Sequence, residues 1–360
     1  MDSPARFVCV LALAVAFGCA KESTEQSPKS DAKPSDKTEA PTKPKGDPKA
    51  TLVIDGRADY GSMAAHGDKL LFAPSTTQDG PRHFVALGAG APELIATKIG
   101  RRVAFVSDVQ SIWWLDIAED RTALHTISAE AQGWSAAKLV TDAIPPDESR
   151  AWDLALTTDY VYITGGTDGL LRVARTGGEL ETVFEQDGAH VGTIAAAGPA
   201  IYWIVIDKDF AFHLYASEDA TIAKPELVET AVGMRGLAAT PEAVYWSRVP
   251  SEGAQFELTR RKRGGAPEKL ASWPEDILDI VPGDGLVALE LWSGVGIWRE
   301  GSDKIDQLED KGMYAPEIAV VGSSMMWMNA DGVRTTEGAP FLAARDFLPL
   351  PPTALRDAGN

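Results

Sequence analysis

The stretch Ala200–Ile206 reads AIYWIVI, and 43 residues later Ala243–Val249 reads AVYWSRV. That separation is too long for a hairpin, so one structural position is being used more than once. Aligned on these strings, the chain carries seven apolar triplets: Leu70–Phe72, Ile112–Trp114, Val161–Ile163, Ile201–Trp203, Val244–Trp246, Leu286–Ala288 and Met325–Trp327. Their third members are 42, 49, 40, 43, 42 and 39 residues apart. A small apolar run and a turn precede most of them (MAAHGDK, LALTTDY, IAAAGPA, LAATPEA). A polar strand, a Gly-rich turn and a short apolar strand follow (RTGGELETVF, RGGAPEKLAS, GAGAPELIAT, TEGAPFLAA).

Each unit therefore holds four short strands in about 40 residues, the period of a β-propeller blade. The apolar runs are too short, and too rich in Gly, Pro and β-branched residues, for a helical repeat. One four-stranded sheet cannot cover both of its apolar faces, so it must pack between two neighbours. A continuous triplet of large apolar residues suits a second strand whose two faces both meet other blades. The expectation is an all-β fold: a β-propeller of seven four-stranded blades. Leu52–Ile54 precedes the first complete unit, so the N-terminal strand is expected to pair with the last blade and close the ring.

The repeat resembles the propellers with YWTD repeats of low-density lipoprotein receptors, and related bacterial propellers with a YW…GG.P..L unit. The resemblance covers most of residues 58–345 and is strongest at 161–184, 201–206 and 244–270. Ile204 and Ser247 follow the tryptophans directly, and the Asp that closes the YWTD motif is absent. The role of that Asp is therefore not carried over, and neither is receptor function.

Ahead of the repeat, residues 7–18 (FVCVLALAVAFG) form an apolar run of signal-peptide length behind Arg6, too short to span a bilayer. Ala16-Phe17-Gly18-Cys19 resembles a bacterial lipoprotein lipobox. The resemblance implies that Cys19 is lipidated and becomes the mature N-terminus; an ordinary secretory signal is the alternative. Ala20 in place of Asp then points to an outer membrane lipoprotein of the cell envelope, facing the periplasm or the surface. Cys9 is the only other cysteine, which leaves no disulfide framework or cysteine metal site in the mature chain. From Ala20 to Ala50 there is no Val, Ile, Leu, Met or aromatic residue, so this segment cannot offset its chain entropy by burial. The expected organisation is signal peptide 1–18, disordered Lys/Pro/Ser/Glu tether 19–50, propeller 51–345 and Pro-rich tail 346–360.

The formal charge of −18 disfavours nucleic acid and anionic membrane surfaces, so no nucleic acid partner is expected. The run Arg260-Arg261-Lys262-Arg263 reads as a solvated outer strand rather than a docking patch. Histidines 66, 83, 125, 190 and 213 are scattered, and no HExxH, GxSxG or Walker motif occurs, so no metal or cofactor is expected. Asp207 and Asp209 lack the D-x-D-x-D-G context of a calcium loop.

Propeller geometry places any site where innermost strands converge on the channel mouth. The residues before the small apolar runs are Ser62, Arg102, Asp153, Thr193, Gly236, Asp279 and Glu317, with Trp152 and Arg235 one place further back. The candidate group is Arg102, Trp152, Asp153, Arg235, Asp279 and Glu317. It suits a cationic or sugar-like ligand, and carboxylates held together there should have raised pKa values. The leading expectation is a non-enzymatic, lipid-anchored envelope binding module whose partner is an envelope protein or a glycan. Two alternatives stand beside it: a hydrolase or lyase with an acidic site at the mouth, and a scaffold in an envelope-assembly complex, by analogy with propeller lipoproteins of outer-membrane protein assembly.

Overall fold

The computed structural model describes residues 51–55, 63–72, 82–87, 93–99, 104–117, 121–130, 133–145, 153–165, 169–219, 221–309, 318–321, 324–329 and 332–336. The expected signal peptide, tether and C-terminal tail lie outside the described residues. Every helix or strand among them is a strand, and the strands form seven antiparallel sheets. The innermost strands are Met63–His66, Phe105–Ser107, Asp153–Leu156, His190–Ala197, Gly233–Ala239, Ile277–Gly283 and Ile318–Val321, one to each of blades one to seven. Each lies against the next, and the last lies against the first, which makes the ring a closed β-propeller. Blade two adds a short fifth strand, Gly133–Trp134.

In blade seven the outermost strand is Thr51–Asp55, paired antiparallel with Gly332–Thr335 so that Thr51 faces Thr335 and Asp55 faces Gly332. The two ends of the propeller thus share one sheet, the closure expected from Leu52–Ile54.

Pairing register explains the repeated Tyr-Trp string. Phe105 faces Trp114, Ile194 faces Trp203, Leu237 faces Trp246 and Ile318 faces Trp327. The four tryptophans occupy one slot in four blades and are all but fully buried. Alternation along the second strand then feeds two interfaces at once. In blade four, Ile201, Trp203 and Val205 pack with Ala155, Tyr162 and Leu170 of blade three. Tyr202 and Ile204 pack with Met234, Val244 and Trp246 of blade five. Blade six repeats this, with Val287, Leu289 and Leu291 toward blade five and Leu286 and Ala288 toward blade seven.

The register corrects one alignment. Ile280 faces Leu289, so the blade-six triplet is Val287–Leu289, not Leu286–Ala288. The run LVALEL has no tryptophan to set its frame, and a one-residue slip leaves an equally apolar string.

Polar ties cross the blade boundaries. Ser107 donates to the carbonyl of Ala65 at 2.8 Å, and Ser247 to that of Ile277 at 2.7 Å. Arg175 of blade three reaches Asp108 of blade two at 2.5 Å, with its guanidinium over the Trp113 ring. This ion pair and hydrogen bonds from Gln110 and Ser111 outweigh burial and hold the Asp108 carboxyl below its ordinary range.

The basic run lies on the third strand of blade five, Phe256–Lys262, and its turn. Arg260 pairs with Glu268 of its own blade and Glu300 of blade six. Arg261 and Arg263 point the other way and meet Glu226 and Glu218 of blade four. Each arginine of the run is matched by a carboxylate.

Candidate binding site at the channel mouth

The slot facing each tryptophan also fixes the mouth position, one residue earlier on the innermost strand. By that register the described mouth residues are Ala104, Asp153, Thr193, Gly236 and Asp279. In blade two the position falls to Ala104, two residues beyond the Arg102 expected from the sequence, because Phe105 faces Trp114. Arg102, Trp152, Glu317 and Cys19 lie outside the described residues.

A recurrent backbone device shapes the mouth. The innermost strands of blades four, five and six each slip register here, between Val191 and Ile194, Met234 and Leu237, and Ile277 and Asp279. Such bulges re-aim the side chains beside them. At Gly236 a Cβ would lie 2.8 Å from Cγ1 of Ile280 and 3.0 Å from the Asp279 Cα. Glycine is what lets blade five approach the Asp279 backbone this closely.

Asp153 and Asp279 stand in blades three and six, on opposite sides of the ring. Asp153 accepts from its neighbour Leu154 N at 2.8 Å and from Ile194 N of blade four at 3.1 Å. Asp279 accepts from Ile280 N at 2.8 Å. Both keep some accessible surface while protein surrounds them, the condition of side chains lining a narrow channel. Burial therefore dominates their chemistry. It pushes Asp153 up to about 7, with the negative charge of Asp279 adding to the rise. It pushes Asp279 up to about 6.

Arg235, one place behind Gly236, is 57% exposed and 3.6 Å from Asp276, a loose pair at the rim. His190 opens the innermost strand of blade four opposite Ile206, and it is half-buried. Among the described residues no three His, Cys, Asp or Glu side chains converge as metal ligands. An open groove, about 630 Å³, lies at the outer rim between blades five and six, beside Trp273 and Lys304. It holds none of the mouth residues.

The sequence pointed to Asp153 and Asp279 through their place before the small apolar runs. It gave no sign of the bulges, which leave no composition signal apart from Gly192 and Gly236.

Fold and mouth together define the class: a seven-bladed β-propeller, closed by its N-terminal strand, with two carboxylates among the described residues of the axial channel. No protein-family model and no curated protein matches the chain. Solved structures do, at identities that carry the fold alone. A catalytically inactive virginiamycin B lyase from Staphylococcus aureus, crystallised with quinupristin, is 13% identical, matching 80% of this chain and 99% of the lyase with a TM-score of 0.58. A puromycin-hydrolyzing peptidase from Mycobacterium tuberculosis is 14% identical over 80% of this chain and 53% of its own, with a TM-score of 0.55. The β-propeller domain of the Trilobed protease from Pyrococcus furiosus is 14% identical over 78% of this chain and 95% of its own, with a TM-score of 0.52. That domain is described as having an open velcro topology, whereas here a strand from the N-terminal side completes the last blade.

Proposed function

We propose that this protein is a lipid-anchored binding module of the bacterial envelope, and that its channel mouth receives a cationic group. The observation that carries the reading is the pair Asp153 and Asp279, held across the ring in a setting where burial penalises the charge of each. An ammonium or guanidinium group between them would restore both charges and replace the water they lack. Among the described residues the mouth brings together two carboxylates and no third ligand, a set that suits an organic cation better than a hard metal ion. The acidic balance of the chain would draw such a ligand in.

Calorimetric titration with agmatine, choline and glucosamine tests the reading near pH 6.5, between the two raised values of about 6 and about 7. Binding should release protons and be lost in Asp153→Asn and Asp279→Asn. Affinities unchanged in both variants would remove the mouth from the function. Anchoring has its own test: palmitate label should enter the wild-type chain and not Cys19→Ala.

The second reading is a hydrolase or lyase. Carboxyl groups poised near neutrality are suited to general acid–base work, and those two values favour it. Turnover of polysaccharide or lactone panels, lost in the same two variants, would select it over pure binding.

A further inference from the structure

The channel mouth has a face around it, and the strand directions say which segments build that face. His190 pairs with Ile206, Gly233 with Val249 and Ile277 with Leu291. The second strands of blades four, five and six therefore end where the innermost strands begin. The turns at 207–211 and 292–293 lie on this mouth face, and so do the links at Val232 and 274–276 that lead into the next blade. Three large apolar residues are exposed there: Phe210 at 78%, Val232 at 48% and Trp292 at 54%. They belong to consecutive blades. The Trp292 amide donates to the carbonyl of Asp276 at 2.9 Å, and that of Val232 to Val249 at 3.2 Å, so backbone bonds fix both segments.

Phe210 is the telling member. Two described non-glycine residues have positive φ, Ile222 at 55° and Phe210 at 61°. Ile222 is 5% exposed and packs in the core between blades three and four, which offsets its strain. Phe210 gains nothing comparable, yet its turn is braced. Its own N–H donates to the carbonyl of Asp207. Asp207 accepts from Asp209 N and Ala211 N at 2.9 Å each and is paired with His213, also at 2.9 Å. The His213 hydrogen bond and the backbone donors hold the Asp207 carboxyl below its ordinary range. A bulky residue in the left-handed region and turned to water is an uncommon strain, of the kind that clusters at sites of contact.

We infer that the mouth face of blades four to six is a docking surface for a protein segment that joins apolar side chains to a Lys or Arg. Its apolar side chains rest on Phe210, Val232 and Trp292, and its cation enters the channel between Asp153 and Asp279. Charge complementarity names this occupant: the exposed apolar residues share a face with the mouth that holds two carboxylates, on a chain whose net charge is −18. Exposed apolar side chains that share a face with a charged socket are what a protein interface combines. The inference rests on the cation-receiving mouth, and the test separates the two.

The full chain in detergent is titrated with short synthetic peptides of alternating Leu and Lys, of Leu and Glu, and of Ser and Lys, and with phosphatidylcholine vesicles. The Leu–Lys peptide should bind best. Phe210→Ser combined with Trp292→Ser should weaken it about tenfold and leave the Ser–Lys peptide unchanged. Phe210→Ser alone, whose thermal midpoint shows it folded, should carry part of that loss. Loss on the Phe210 and Trp292 substitutions without loss in Asp279→Asn keeps the docking surface and removes the cation socket. Loss in Asp279→Asn alone keeps the socket and overturns the docking surface. Equal Leu–Lys affinity in the double variant and wild type, or no Leu–Lys binding at all, also overturns it. So does vesicle binding that needs Phe210 when no peptide binds, because the face would then be a membrane contact.

Discussion

Arg260 and Arg261 are adjacent on one strand and bind carboxylates on opposite neighbouring blades, Glu300 of blade six and Glu226 of blade four. The period of two in a strand makes blade five a clamp between its neighbours. The two arms differ in what surrounds them. Arg260 is 8% exposed with its guanidinium over the Trp298 ring at 5.7 Å, whereas Arg261 is 20% exposed.

Arg260→Ala should therefore cost about 2 kcal/mol, mostly lost packing and stacking. Arg261→Ala should cost under about 1 kcal/mol, since its partner Glu226 is largely in water. Urea denaturation of both variants checks the order, and equal losses would mean that packing around Arg260 is not what counts.

The tryptophans should separate in the same way. Trp246 donates from its indole N–H to Glu229 at 2.8 Å, whereas the indole N–H of Trp203 is buried with no hydrogen-bond partner. Trp246→Phe should be more destabilising than Trp203→Phe by about 1.5–3 kcal/mol, the net worth of a hydrogen bond to a charged group. Either residue changed to Ala should cost about 3–5 kcal/mol through the cavity left behind. Denaturant midpoints of the four variants would show a reversal between the two Phe substitutions if the hydrogen bond is unimportant.

Asp279 imposes a pH dependence whose sign is opposite to that of a paired surface carboxylate. Its folded value of about 6 lies above the ordinary 3.8, so the folded state keeps a proton that the unfolded chain has released. Stability is fully kept below pH 3.8 and falls as pH rises toward about 6. Asp153 extends the fall toward about 7. Asp279→Asn, which retains the oxygen that accepts from Ile280 N, should be more stable than wild type at pH 8 by on the order of 2 kcal/mol. The advantage should vanish near pH 4. Asp108 and Glu300, held below their ordinary ranges, pull the other way on the acid side. Thermal midpoints of both proteins across pH decide it, and parallel curves would contradict a raised Asp279.

Phe210→Gly should stabilise the fold by about 1 kcal/mol, because glycine reaches a φ of 61° without strain and the phenyl ring buries little. A thermal midpoint equal to or below wild type would show that the ring contributes to stability where it stands.

The ring was legible in the sequence because each blade must cover the next, and that demand writes a Trp or an aliphatic triplet at nearly constant spacing. Thr51–Asp55 was legible because a ring needs a latch and Leu52–Ile54 stands ahead of the first complete unit. The site was legible only as positions. Asp153 and Asp279 stood ahead of small apolar runs, but that they oppose one another depends on the blade count and on where each strand bulges. Arg102 shows the limit: the run RRVAFV offers no fixed point, and only the pairing of Phe105 with Trp114 sets the frame. The strain at Phe210 comes from side-chain bonds of Asp207 to a turn, a relation that no hydrophobic pattern records.

The sheet that holds both Thr51–Asp55 and Gly332–Thr335 joins a strand made early in the propeller's synthesis to one made more than 270 residues later. During synthesis the early strand has an open hydrogen-bonding edge and no partner until every other blade has emerged. Completion of the ring is then a single late event, and a chain interrupted anywhere in the final blade leaves that edge available to its neighbours.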